Sequence, residues 1–180
     1  MAVTKIHSVK ATLNLSIEYI CDEEKTDGKF FVSSFGCEAE TADLEFDFTR
    51  RAAEGKQGKS TVLAHHLIQA FDPEDNVTPE QAHKLGIELA NKLLKNNHEY
   101  VIATHIDKGH IHNHIIFNSV NFNSGYTFEY EQNRGAKVFL RIQKMNDEIC
   151  REHKLSTIEK NSKSKGKGHY EWEKDKAGTS

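Results

Sequence analysis

The sequence predicts an α+β domain, loosely α/β, with a central and mainly antiparallel sheet flanked by helices. Segments with strand-like and helix-like periodicity alternate through residues 3–155. Two β-rich runs meet across Asp107-Lys108-Gly109, a turn signal, so at least one strand pair closes as a hairpin. With 180 residues, 37% of them apolar and 28% charged, and a mean hydropathy of −0.67, the chain has enough apolar matter for one core. Strands broken by helices around a hairpin favour helices packed on an antiparallel sheet.

The elements follow in order. Residues 4–9 form a short strand candidate, and residues 13–21 carry Leu13, Ile17 and Ile20 at helical spacing. Residues 30–35 read as a strand and 39–53 as a helix; the polar stretch 53–60, with Gly55 and Gly58, is a loop. Residues 62–71 are strand-like. Thr78-Pro79-Glu80-Gln81 is a helix start, with a Thr cap, Pro in the first turn and Gln three residues after the cap. That helix should run to about residue 96 and bury Ala82, Leu85, Leu89, Ala90 and Leu93. Strands over 99–106 and 110–118 follow, then a helix over 135–153 with Val138, Ile142, Met145 and Ile149 on one face. There is no internal repeat. The expected domain is 1–155, followed by a polar, Lys- and Gly-rich tail over 156–180, flexible or the start of a linker.

Composition narrows the function classes. No apolar run approaches the roughly 20 residues of a membrane span, and the N-terminal segment is unlike a signal peptide. Cys21, Cys37 and Cys150 are odd in number and far apart, which suggests neither a disulfide framework nor a Cys-based zinc site; a cytoplasmic protein is expected. The net charge of −3 means that any nucleic-acid surface must be local.

Chemistry concentrates in the hairpin, Tyr100-Val101-Ile102-Ala103-Thr104-His105-Ile106-Asp107-Lys108-Gly109-His110-Ile111-His112-Asn113-His114-Ile115-Ile116-Phe117. A loop of even length sets Ile106 opposite Ile111 and His105 opposite His112, and alternation puts His114 on the face of His112. Directly opposed residues bring their Cβ atoms to about 4.5–5.5 Å, so three imidazoles converge while Ile106, Ile111, Ile115 and Phe117 point the other way. An odd loop would undo this. Three neutral imidazoles on one patch form an open, facial metal site suited to catalysis or anion binding. His110 is expected on the opposite face from His112.

His105-Ile106-Asp107-Lys108-Gly109-His110-Ile111-His112-Asn113-His114, running into a strand that ends in Asn118-Ser119, resembles the third motif of conjugative relaxases of the HUH endonuclease superfamily. The resemblance is closest to the mobilization group that includes the agrobacterial border nuclease. It implies a divalent metal, Mg²⁺ or Mn²⁺, on His105, His112 and His114, with the ligand strands in the middle of the sheet. His110 and Asp107 belong to the motif but not to the ligand set: His110 would support the ligands or touch DNA, and Asp107 would orient a histidine or help to deprotonate the nucleophile.

Relaxases attack DNA with a tyrosine, and the candidates are Tyr19, Tyr100, Tyr126, Tyr130 and Tyr170. Leu15-Ser16-Ile17-Glu18-Tyr19-Ile20-Cys21-Asp22-Glu23-Glu24-Lys25-Thr26 resembles the family's first motif, which makes Tyr19 the nucleophile, ahead of Tyr126 and Tyr130. Ala64-His65-His66-Leu67-Ile68-Gln69-Ala70-Phe71 resembles the second motif, with Ala70 where family members commonly place a serine that contacts DNA. Alternation parts His65 from His66; His66 is expected nearer the site, a satisfied core histidine being the alternative. Arg50, Arg51, Lys56, Lys59, Arg134 and Lys137 are the candidate DNA contacts.

The implied activity is nicking of one strand at the transfer origin of a plasmid or integrative element, through a 5′-phosphotyrosyl intermediate. The implied partners are single-stranded origin DNA, with an adjacent hairpin or duplex, relaxosome accessory proteins and a coupling protein. The alternatives are a rolling-circle replication initiator or single-tyrosine transposase of the same superfamily, a non-catalytic metal-dependent DNA-binding module, and a His-metal hydrolase of small substrates.

Overall fold

The computed structural model describes residues 2–53, 55–107, 109–132 and 137–157. Along the chain it runs β1 (Val3–Val9), α1 (Leu13–Ile20), β2 (Val32–Phe35), α2 (Ala42–Ala52), β3 (Ala64–Ala70), α3 (Pro79–Leu94), β4 (Tyr100–His105), β5 (His112–Asn118), α4 (Phe128–Glu131) and α5 (Val138–Glu152). The five strands form one sheet in the order β1-β3-β5-β4-β2, every neighbouring pair antiparallel. The expected α+β fold is therefore the observed one, and β5, with β4 beside it, is central. The proposed tail beyond residue 157 lies outside the described residues; Leu155 and Thr157 are buried. Among the described residues no helix is long and apolar enough to cross a membrane.

Each face of the sheet has its own apolar cluster. Leu67, Tyr100, Ile102, Ile115 and Phe117 pack under α3 and α5. Val101, Ala103, Ile116 and Ala64 pack under α1 and α2, which bury Leu13, Ile17, Ile20, Ala42 and Phe46. Period-2 alternation in the strands and the Leu13/Ile17/Ile20 spacing in α1 produce this two-sided layering.

Local signals set the boundaries. The Gln81 amide donates to Thr78 Oγ1 at 3.1 Å and so caps α3, with Pro79 in the first turn. The helix expected over 39–53 divides into a 3-10 turn (Ala39–Thr41) and α2. The Glu45 carboxylate causes the division by reaching back to accept from the Glu38 amide at 2.8 Å and the Thr41 hydroxyl at 3.0 Å. Helix α4 was not expected; Thr127 caps it by accepting from the Tyr130 amide at 3.2 Å.

A buried polar ladder crosses the back of the sheet. Gln69, Asn113 and Thr104 are opposed in register and all fully buried. Thr104 Oγ1 donates to Asn113 Oδ1 (2.6 Å), and Asn113 Nδ2 donates to Gln69 Oε1 (2.9 Å) and the Ala82 carbonyl (2.6 Å). Gln69 Nε2 continues to Asn146 Oδ1 at 2.6 Å. On the other flank, His83 Nδ1 lies 2.8 Å from Thr104 Oγ1 and its Nε2 2.6 Å from Ser33 Oγ. Gly86 lets α3 come this close, since a Cβ there would lie 2.5 Å from Asn113 Nδ2 and 2.5 Å from Ile102 Cδ1. The ladder sits one residue out of phase with the histidines, so it faces away from them while fixing their register.

Candidate active site

The hairpin closes as parity requires, with His105 opposite His112 and Ala103 opposite His114. The ladder stops there: the Ile106 amide turns to the Lys25 carbonyl (2.8 Å), and the Ile111 carbonyl accepts from the Phe71 amide (3.1 Å). The expected Ile106–Ile111 pairing is thus replaced by links to neighbouring segments. On the α1/α2 face the rings of His105 and His114 lie 4.1 Å apart between centroids, and those of His112 and His114 lie 6.2 Å apart. Strand β3 puts His66 on this same face, its Nε2 2.9 Å from His114 Nδ1. His7, opposite His66 in β1, extends the row, its ring 4.8 Å from that of His66. An imidazole row thus crosses four residues on four strands, from the edge to β4. His65 points to the other face, against Phe117 and Phe128, its Nε2 2.7 Å from Glu129 Oε1.

His110 is the correction. It does not lie on the face opposite His112; the two rings meet edge-on at 4.5 Å. The cause is elementary, since residues two apart in an extended chain share a side. Ala70 lies opposite His112 in the same row, a methyl where the second-motif resemblance implies a serine hydroxyl.

Tyr19 sits in the last turn of α1, 48% exposed. Its ring meets that of His105 edge-on at 6.2 Å, and among the described residues its hydroxyl makes no hydrogen bond. The Lys25 ammonium lies 5.2 Å from the Tyr19 ring centroid and 3.6 Å from Asp107 Oδ2. Asp107 therefore meets a lysine rather than an imidazole.

The donor chemistry suits a divalent cation. Burial lowers the His105 pKa from its ordinary value, opposed by the hydrogen bond to Ile20 and the charge of Asp107, so its neutral ring is favoured. His105 Nε2 donates to the Ile20 carbonyl at 2.8 Å, which leaves the Nδ1 lone pair for a metal. His114 Nδ1 meets His66 Nε2 at 2.9 Å, and a partner on one ring nitrogen is usual for metal-bound imidazoles. The side chains are not gathered into a finished coordination shell: no group of three or more His, Cys, Asp or Glu among the described residues has metal-holding geometry.

The candidate DNA contacts lie apart from the imidazoles. Arg50 and Arg51 both pair with Asp47, at 2.9 and 2.8 Å, near the end of α2. Lys56 Nζ bonds the Ser124 carbonyl at 3.0 Å and lies 5.3 Å from the Tyr126 ring centroid, beyond the far end of β5 from His112. Tyr126 and Tyr130 stack on each other there, centroids 4.9 Å apart. Lys59 is exposed, Lys137 is exposed before α5 in the opposite layer, and Arg134 lies outside the described residues. Tyr100 is buried and donates to Asn91 Oδ1 at 3.1 Å, a structural position. Sequence reasoning passed over His7 and Lys25. Lys25 stood in the first motif itself, whereas His7 needed the β1–β3 pairing.

This constellation, a helix-borne tyrosine beside imidazoles on the central strands of an antiparallel sheet, is that of an HUH-type nuclease domain. Residues 19–155 match the relaxase family described as MobA/VirD2-like, nuclease domain. The chain is 35% identical over 151 residues to the group II intron-interrupted relaxase LtrB of Lactococcus lactis subsp. cremoris MG1363, covering 79% of this chain and 25% of that protein. It is 39% identical over 160 residues to the protein rlx of Staphylococcus aureus, covering 89% of this chain and 46% of that one. The chain belongs to the MobA/VirD2-like relaxase nuclease-domain family. It spans a quarter to just under half the length of these relatives. Relaxase nuclease domains of this family are generally metal-dependent.

Proposed function

We propose that this domain nicks one DNA strand at the transfer origin of a plasmid or integrative element by transesterification. The Tyr19 oxygen attacks the scissile phosphorus, the P–O3′ bond breaks, the phenol loses its proton, and the 3′ oxygen leaves as a hydroxyl. The 5′ phosphate stays on Tyr19, and reversal rejoins the strand without ATP. His105, His112 and His114 would hold Mn²⁺ or Mg²⁺, which when bound neutralises charge on the scissile phosphate. His66 fixes the His114 ring, His110 flanks His112, and Asp107 acts beside the tyrosine. Arg50, Arg51, Lys56, Lys59, Arg134 and Lys137 contact phosphates of single-stranded origin DNA and its adjacent hairpin or duplex. Accessory proteins and a coupling protein complete the cytoplasmic assembly.

The observation that carries this reading is the Tyr19 ring, exposed and 6.2 Å from that of a candidate metal ligand. The test is incubation with Mn²⁺ and single-stranded oligonucleotides tiled across the element's own origin, with the adducted peptide mapped by mass spectrometry. Phosphonucleotide on Tyr19, absent from Tyr19→Phe, is expected. Cleavage that persists in Tyr19→Phe would remove Tyr19 from the role, and cleavage without any adduct would make the chemistry hydrolytic.

A further inference from the structure

We propose that Lys25 is a positioning residue for the nucleophile: Asp107 holds its ammonium against the Tyr19 ring beside His105. The proposal rests on the Tyr19 reading and deepens it. The Tyr19 hydroxyl has no hydrogen-bond partner among the described residues, and the ring is half exposed, so ring contacts alone decide where it points. Those contacts are the His105 ring, met edge-on with centroids 6.2 Å apart, and the Lys25 ammonium, 5.2 Å from the Tyr19 ring centroid. A cation within about 6 Å of an aromatic centroid is attracted to the ring.

Lys25 is itself fixed at both ends. Its carbonyl accepts from the Ile106 amide at 2.8 Å, which ties it to the residue between His105 and Asp107. The following Thr26 is fully buried, its hydroxyl donating to the Asp22 carbonyl at 2.8 Å and its carbonyl accepting from the Phe31 amide at 3.2 Å. The Phe31 carbonyl in turn accepts from the Thr104 amide at 2.9 Å, so both arms of the loop are fastened to the ligand strand. At the far end the ammonium meets Asp107 Oδ2 at 3.6 Å, with both side chains largely shielded, 21% and 24% exposed. The result is a bridge from the metal-ligand strand through Asp107 and Lys25 to the tyrosine on α1. It also sets a fixed positive charge where a phosphodiester and a phenol oxygen must approach each other. Asp107 then works through Lys25.

The test uses the full 180-residue chain with Mn²⁺ and an oligonucleotide that yields the wild-type Tyr19 adduct. Lys25→Met should slow single-turnover adduct formation at saturating DNA roughly tenfold, a size suited to a partly shielded cation–π contact plus lost orientation. KM for DNA, Mn²⁺ affinity and the thermal midpoint should stay near wild type, and Lys25→Arg should recover most of the rate. Asp107→Asn should show the same slowing, and the Lys25→Met/Asp107→Asn double variant should be no slower than either single one. An unchanged rate in Lys25→Met would overturn the proposal. A loss confined to KM would also overturn it, making Lys25 a phosphate contact, and multiplied losses in the double variant would give Asp107 a separate task. Because wild type and Tyr19→Phe are run alongside, failure of the nucleophile assignment shows in those two and failure of the Lys25 proposal does not.

Discussion

Asn113→Ala is the perturbation that best tests how the site is held. Asn113 is fully buried between His112 and His114, and its amide makes three hydrogen bonds on the opposite face: from Thr104, and to Gln69 and the Ala82 carbonyl. Each such bond is worth about 1 kcal/mol net, and a buried acceptor left alone costs about 1–3 kcal/mol. In the variant Gln69 Oε1 loses its partner, the Ala82 carbonyl keeps its helix, and Thr104 still faces His83. The expected loss is therefore about 3–5 kcal/mol. Urea unfolding followed by far-UV circular dichroism measures it through the shift in midpoint at constant slope. Mn²⁺ affinity should fall with it, because both flanking candidate ligands depend on the β3–β5–β4 register. A loss below about 1 kcal/mol, within the effect of an ordinary surface change, would refute the view that this ladder sets the register.

Two further outcomes are expected. Burial lowers the pKa of both His83 and His98 below the ordinary 6.5, so the native state binds fewer protons than the unfolded chain below that pH. Stability of the metal-free domain should hold above pH 7 and fall as pH drops through 6.5, by up to about 1.4 kcal/mol per pH unit for each histidine. Urea midpoints at pH 7.5 and 5.5 check the sign, and a domain equally stable at both would contradict it. His66→Ala removes the partner of His114 Nδ1 and should weaken Mn²⁺ binding roughly 10-fold or more, read by calorimetry, with the fold retained; unchanged affinity would free His114 from any need of His66.

What the sequence made legible was local. Leu13, Ile17 and Ile20 announce α1 by spacing, and Thr78 with Gln81 announces α3 by capping chemistry. The hairpin parity predicted that His105, His112 and His114 share a face, because period 2 and an even loop leave no other outcome. What stayed hidden depends on pairings between distant segments. No periodicity says that β1 lies beside β3, so His7 could not be placed next to His66. Gln69, Thr104 and Asn113 read as polar interruptions of apolar strands until three strands align them into one network. Lys25 looked like one charge among several in a polar loop, and its place beside the tyrosine depends on the Ile106–Lys25 backbone link and the Asp107 pairing.

The adjacent pair His65-His66 shows how the sheet separates its tasks. Alternation sends His66 to the imidazole row and His65 to a pocket of Phe117, Phe128 and Glu129, though both are nearly fully buried. The same division runs along β5, where His112 and His114 face α1 while Asn113 faces α3. A one-residue slip of β5 would exchange these sets, placing an amide and an isoleucine in the imidazole row and two imidazoles in an apolar core. Either half alone would tolerate that slip poorly. Together they exclude it, because the back of the sheet loses its hydrogen bonds in the same movement that removes the imidazoles from the front. The register that sets three imidazoles on one face is in this way specified by residues on the other.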